Sequence, residues 1–112
     1  MEVTIRNKRN ILTQAILCDS LWSQARGLMF KRPQSLIFQF RKEKIVRLHM
    51  IGVFFPIDII TLSKQKVVLE KASIKPLQFF RSRHKARYVI EMPKDSSDHI
   101  SIGDRLDWES KT

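Results

Sequence analysis

The chain has 112 residues, 43% of them hydrophobic, and a formal net charge of +10. That length fits one domain, residues 1–112, with a single core. One cysteine, Cys18, excludes an internal disulfide framework, and no apolar run reaches the roughly 18 residues of a membrane-crossing helix. The surplus of cations favours polyanionic partners such as RNA, DNA or an anionic membrane face.

In chain order the pattern is one of short strands. Glu2 to Arg6 alternates with period two and lacks the apolar centre of a secretion signal, so a cytoplasmic location is expected. Asn7-Lys8-Arg9-Asn10 reads as a polar turn and Ile11 to Cys18 as a second strand. Asp19 or Ser20 can cap a short helix over 20–27, with Gly27 near its C-terminal end, where a positive φ is often required. Leu36 to Phe40 and Ile45 to Ile51 are predicted to form a hairpin about the charged turn Arg41-Lys42-Glu43-Lys44. Ile57 to Leu62 and Val67 to Ala72 form another about Ser63-Lys64-Gln65-Lys66. Lys75 to Lys85 reads as a basic loop, Arg87 to Met92 as a strand stopped by Pro93, and Ser96 to His99 as one helical turn. Ile102-Gly103-Asp104 turns the chain into a last strand, Arg105 to Trp108. Many short strands and one or two short helices predict a mainly β fold, a small antiparallel barrel or sandwich.

Four motifs follow one another in order: Arg26-Gly27-Leu28-Met29-Phe30; His49-Met50 with Phe55-Pro56-Ile57-Asp58-Ile59; Ala86-Arg87-Tyr88-Val89-Ile90-Glu91-Met92; and Ile102-Gly103-Asp104. Together they resemble the domain-of-unknown-function family number 192, over about residues 12–108. The resemblance implies a compact, mainly β domain and no established activity. It also implies the shorter archaeal-type form, without the secretion signal that bacterial members often carry. The sequence departs from the family pattern at Lys64-Gln65-Lys66, where Asp and Gly are usual, and at Ile51-Gly52-Val53, which is usually bulkier or more polar.

The run from Leu48 to Ile60 is nearly continuous apolar sequence with His49 near its start and Asp58 near its end. A carboxylate inside such a run is costly to bury without a partner. Arg26 is suited to that role, because its planar fork binds a carboxylate through two hydrogen bonds; backbone N–H groups are the structural alternative. His49 could serve as a base or ligand, but a lone histidine in an apolar strand is more often simply hydrogen-bonded. Cys18, His49, His84 and His99 lack the close paired spacing of a zinc site, and the three glycines form no phosphate loop. Cys18 ends an apolar strand and reads as a small hydrophobe. No metal and no cofactor are therefore indicated.

The second lead is charge. Lys71, Lys75, Arg81, Arg83, Lys85 and Arg87 fall within 17 residues, interleaved with Phe79, Phe80 and His84. Cations grip phosphates and aromatic rings stack on bases, a mixture suited to single-stranded nucleic acid. The plainer reading is a solvated loop anchored by its phenylalanines; in extended chain only one of two adjacent rings can face solvent. The expectation is thus a non-enzymatic binding domain with an electropositive face for nucleic acid, another polyanion or an acidic partner. The alternative is a small-molecule-binding barrel or small enzyme with a cleft built around Arg26, His49 and Asp58. Sequence alone leaves the oligomeric state open.

Overall fold

A computed structural model describes residues 2–7, 10–18, 35–49 and 55–110, with the backbone alone for His49 and Ser110. Patterning dictates structure most directly at strand β5 (Ile57–Leu62), where all six residues are buried. Apolar side chains on both alternating faces suit a strand covered on both sides. β5 accordingly lies inside the main sheet, between β6 (Val68–Ile74) and β8 (Ala86–Pro93). β1 (Glu2–Asn7), β2 (Asn10–Cys18), β3 (Leu36–Lys44) and β9 (Leu106–Ser110) complete a seven-stranded sheet of order β6-β5-β8-β3-β2-β1-β9. Its pairings are antiparallel except that of Ile16–Cys18 with Leu36–Phe38, which is parallel. A separate two-stranded ribbon joins β4 (Arg47–His49) to β7 (Phe79–Arg81).

Period-two alternation divides the core between the two faces of the main sheet. On one face Leu36, Phe38, Ile57, Ile59 and Val89 pack with Val46, Leu48 and the half-buried Phe80, so the β4–β7 ribbon covers this face. On the other, Val3, Ile5, Ile37, Ile60, Leu62, Ile90, Met92 and Leu106 fill the inside of the curled sheet.

The curl brings the two edge strands together. Val67 bridges Arg105. The Val68 N–H donates to the Asp104 carbonyl at 2.8 Å, the Gly103 N–H to the Val68 carbonyl at 2.8 Å, and the Leu106 N–H to the Lys66 carbonyl at 2.9 Å. Pairing the edges at this end removes open donors and acceptors that would otherwise template association. Gly103 turns with φ of 93°, in the left-handed region where L side chains are strained. Lys66, φ 64°, closes the β5–β6 hairpin, and its ammonium lies 4.3 Å from the Trp108 ring centroid and 3.1 Å from Asp107 Oδ1.

The chain is mainly β, and its sheet is barrel-like. The expected turn and hairpin at 36–51, the loop at 75–85 and the helical turn at 96–99 are corrected. Arg41–Lys44 continues β3 rather than turning, and among the described residues no hairpin joins 36–40 to 45–49, since Arg47–His49 pairs with β7 instead. Leu36, Ile37 and Phe38 are buried on both faces and need two neighbouring strands, which β2 and β8 supply. The segment 75–85 is not all loop, because β7 forms within it. The helix expected over 20–27 lies outside the described residues, among which no helix occurs; Pro93–Ile100 is a succession of turns closed by bonds such as Ile100 N–H to the Ser97 carbonyl, 2.9 Å.

The Lys66 ammonium beside Asp107 holds that carboxyl below the usual carboxylate range, chiefly through their hydrogen bond and against the opposing effect of burial. A depressed folded-state pKa contributes stability above the unfolded pKa that is lost as pH falls through the folded value. Asp107 is largely exposed, so the contribution is at most about 1 kcal/mol. Acidification from about pH 5 to pH 3 should therefore lower the melting temperature of the parent slightly more than that of Asp107→Asn. Equal losses in thermal melts would show that the pair contributes nothing.

Candidate functional site

Two polar constellations stand out, at different places in the fold. The first centres on Asp58. Its side chain alternates away from Ile57 and Ile59 and is 2% exposed. Asp58 faces Ser73 across the β5–β6 ladder, and the Ser73 hydroxyl donates to Oδ1 at 2.7 Å. Oδ2 accepts the Ser97 hydroxyl at 2.6 Å and the Ser97 N–H at 3.2 Å. Lys71, on the same face of β6, donates from its ammonium to the carbonyls of Ser97 and Ile100. Carboxylate and ammonium thus hold the turns of 93–100 against the end of the sheet, one through donors and the other through acceptors. A small hollow lined by Asp58, Lys71, Ala72, Ser73, Ser97 and Asp98 adjoins this network.

Arg26 and the His49 ring lie outside the described residues. The backbone of His49 sits in β4, opposite Phe79. That ribbon covers the face of Ile57 and Ile59, the face opposite to the Asp58 carboxylate. Among the described residues no three of His, Cys, Asp and Glu gather as a metal site would require. Cys18 packs against the apolar cluster beneath the ribbon.

The second constellation is the ribbon and the segment after it. Ser82, 3% exposed, stitches the two chains together. Its hydroxyl accepts the Val46 N–H at 2.8 Å and donates to the His84 carbonyl at 2.9 Å, while its own N–H donates to the Val46 carbonyl at 2.9 Å. Lys44 pairs in register with Ala86, and Arg47 with Arg81. Lys44, Arg47, Arg81, Arg83 and Lys85, all exposed, are thereby gathered along two adjoining stretches of backbone. Glu70 fixes the segment from the sheet side: Oε1 accepts the Arg83 N–H at 2.8 Å and Oε2 the His84 N–H at 3.2 Å.

The six cations of the sequence cluster divide. Lys71 is engaged with the 93–100 turns, and Arg87 donates from Nε to the Phe40 carbonyl. Lys75, Arg81, Arg83 and Lys85 are exposed, and among the described residues no carboxylate pairs with their side chains. The adjacent phenylalanines split as extended backbone requires. Phe80 packs inward, and Phe79 is 60% exposed.

Arg47 was not among the sequence candidates. It joins the face because β4 pairs with β7, a long-range pairing that local pattern does not reveal. Glu91 was also missed; it is fully buried, in register with Leu36 and Ile59. Its place between Ile90 and Met92 carries the same signal that singled out Asp58.

The sequence matches the family model DUF192, described as "Uncharacterized ACR", over residues 2–108. It is 29% identical to a UPF0127 protein of Pyrococcus furiosus, over 95% of this chain and 96% of that one. It is 32% identical to a UPF0127 protein of Pyrococcus horikoshii, over 82% and 84%. The fold is similar to the crystal structure of a Sinorhizobium meliloti protein described as a candidate transcription regulator (TM-score 0.78, 21% identity, 96% of this chain and 92% of that one).

Removing the Asp58 carboxylate strands the two donors of buried Ser97, its N–H and its hydroxyl, and frees the hydroxyl of exposed Ser73. Asp58→Ala should lower stability by about 2–3 kcal/mol. Asp58→Asn should cost less, because its carbonyl can still accept from Ser97 and its amide can donate to the Ser73 oxygen. Chemical denaturation of both variants checks the order; equal and negligible losses would remove Asp58 from the framework.

Proposed function

The chain belongs to the DUF192 family, and from its electropositive face we propose that it is a non-enzymatic binding domain for polyanions, nucleic acid among them. The observation that carries this reading is the gathering of Lys44, Arg47, Arg81, Arg83 and Lys85 on adjoining backbone, with Arg47 directly opposite Arg81. Like charges directly opposed across a ladder, with Cβ atoms about 5 Å apart, repel one another. A bound phosphate or sulfate between them relieves that repulsion and uses the bidentate geometry of both guanidinium groups. From Lys75 to Arg87 the sequence has five cations and no carboxylate, so nothing within the segment neutralises the field. The net charge of +10 adds long-range attraction for the same class of partner.

The scaffold suits binding rather than turnover. Ser82 and Glu70 fix the backbone beneath the cations through hydrogen bonds to main-chain groups, leaving the charged side chains to the solvent. The cleft alternative draws on Asp58, whose carboxylate already accepts three hydrogen bonds. The description of a fold neighbour as a candidate transcription regulator agrees with a nucleic-acid partner, although at 21% identity it speaks to the fold.

Phosphate neutralisation releases counterions, so the logarithm of affinity should fall linearly with the logarithm of salt concentration. Fluorescence anisotropy with a labelled oligonucleotide should show weak, sequence-tolerant binding at low salt and a steep loss at moderate salt. Reversing the charge of Arg81, Arg83 and Lys85 together should remove most of it. No binding at low salt, or a triple variant that binds like the parent, would overturn the proposal.

A further inference from the structure

We propose that the polyanion this face takes is unpaired nucleic acid, held with a base stacked on Phe79 and its phosphate between Arg47 and Arg81. The inference rests on the polyanion reading above and adds to it the strandedness of the partner and the residue that selects it.

The geometry begins with alternation in β7. Phe80 points into the cluster with Leu48, so Phe79 and Arg81 share the outward face, about 7 Å apart along the strand. Arg47 stands opposite Arg81 on the same face. Among the described side chains the outward row is therefore the Phe79 ring followed by the guanidinium groups of Arg47 and Arg81, a spacing comparable to that between a base and its own phosphate. Leu77, 81% exposed at φ 69°, lies in the turn just before β7. Single exposed apolar side chains are ordinary. Here two of the four large hydrophobic residues most exposed among those described, Leu77 and Phe79, lie two positions apart beside an arginine pair. The ribbon beneath is held by the Leu48–Phe80 pairing and by Ser82, so the ring sits on ordered backbone rather than on a free loop.

Chemistry then separates the possible polyanions. A sulfated sugar or a DNA duplex offers negative charge but no free aromatic face, since duplex bases are stacked on one another. Only an unpaired base can lie on Phe79, and such stacking is sequence-tolerant because every base has a π face. The ring thus converts general attraction for polyanions into preference for a single strand.

The test uses three probes on the full chain at low salt: labelled oligo(dT), the same strand annealed to oligo(dA), and heparin. The variants are Phe79→Ala, Phe79→Trp and Arg47→Ala. The parent should bind oligo(dT) more tightly than the duplex. Phe79→Ala should weaken oligo(dT) binding about tenfold, leaving duplex and heparin binding unchanged. Phe79→Trp should restore the affinity and lose tryptophan fluorescence as oligo(dT) is added. Arg47→Ala should weaken all three probes. If Phe79→Ala binds oligo(dT) like the parent, or the duplex binds as well as the single strand, stacking is overturned and the polyanion reading survives. If the parent binds none of the probes, both readings fall. Binding to vesicles of phosphatidylserine that Leu77→Asp abolishes, in a parent that ignores oligo(dT), would replace the nucleic acid by an anionic lipid surface.

Discussion

A carboxylate on a strand buried on both faces must be satisfied locally, and much of this fold can be read from how Asp58 is satisfied. β5 has no exposed residue, so the charge cannot reach water along its own strand. Ser73 on the neighbouring strand supplies one donor, and Ser97, beyond β8, supplies two. The second contribution shapes the molecule, because it fixes the turns that follow β8 against the sheet. Lys71 holds the same turns through their carbonyls. From there the chain has only a few residues to reach Gly103 and Asp104, where the backbone bonds to Val68 draw the sheet edges together. The polar hub and the closure of the sheet are thus consecutive consequences of one buried charge.

The same logic separates the cations. Lys71 and Arg87 are drawn into the framework by main-chain carbonyls, and Lys66 is held over Trp108 and beside Asp107. Arg47, Arg81, Arg83 and Lys85 instead project from a ribbon whose backbone bonds are already made. Cations that serve the fold have acceptors within it; those assigned to binding are left for an outside anion. A sum over net charge does not draw this distinction, which makes +10 by itself a weak argument about function.

Much of the architecture was legible because burial and alternation are local. The six buried residues of β5, the Ser63–Lys66 hairpin and the opposite fates of Phe79 and Phe80 follow from period two and turn chemistry. The partner of Asp58 was less legible. A need for donors can be read from an apolar run, but Ser73 and Ser97 are ordinary serines until register and the return of the chain place them. The pairing of β4 with β7 was hidden for a related reason. Ile45 to Ile51 looks like the second arm of a hairpin with Leu36 to Phe40, but β3 takes its two neighbours from β2 and β8, and Arg47–His49 pairs with β7. That long-range choice is also what brings Arg47 beside Arg81, so the most informative feature of the candidate face lay beyond sequence pattern.

The central claim is one of location: the ligand meets the β4–β7 ribbon, and the buried carboxylate hub is framework. Amide chemical-shift mapping during titration of the full chain with oligo(dT) addresses it directly. The expected perturbations fall on Arg47, Leu48 and the segment from Phe79 to Lys85, with the amides of Asp58, Ser73 and Ser97 unmoved. Perturbations centred on Asp58, Lys71, Ser73, Ser97 and Asp98, with the ribbon unchanged, would contradict it.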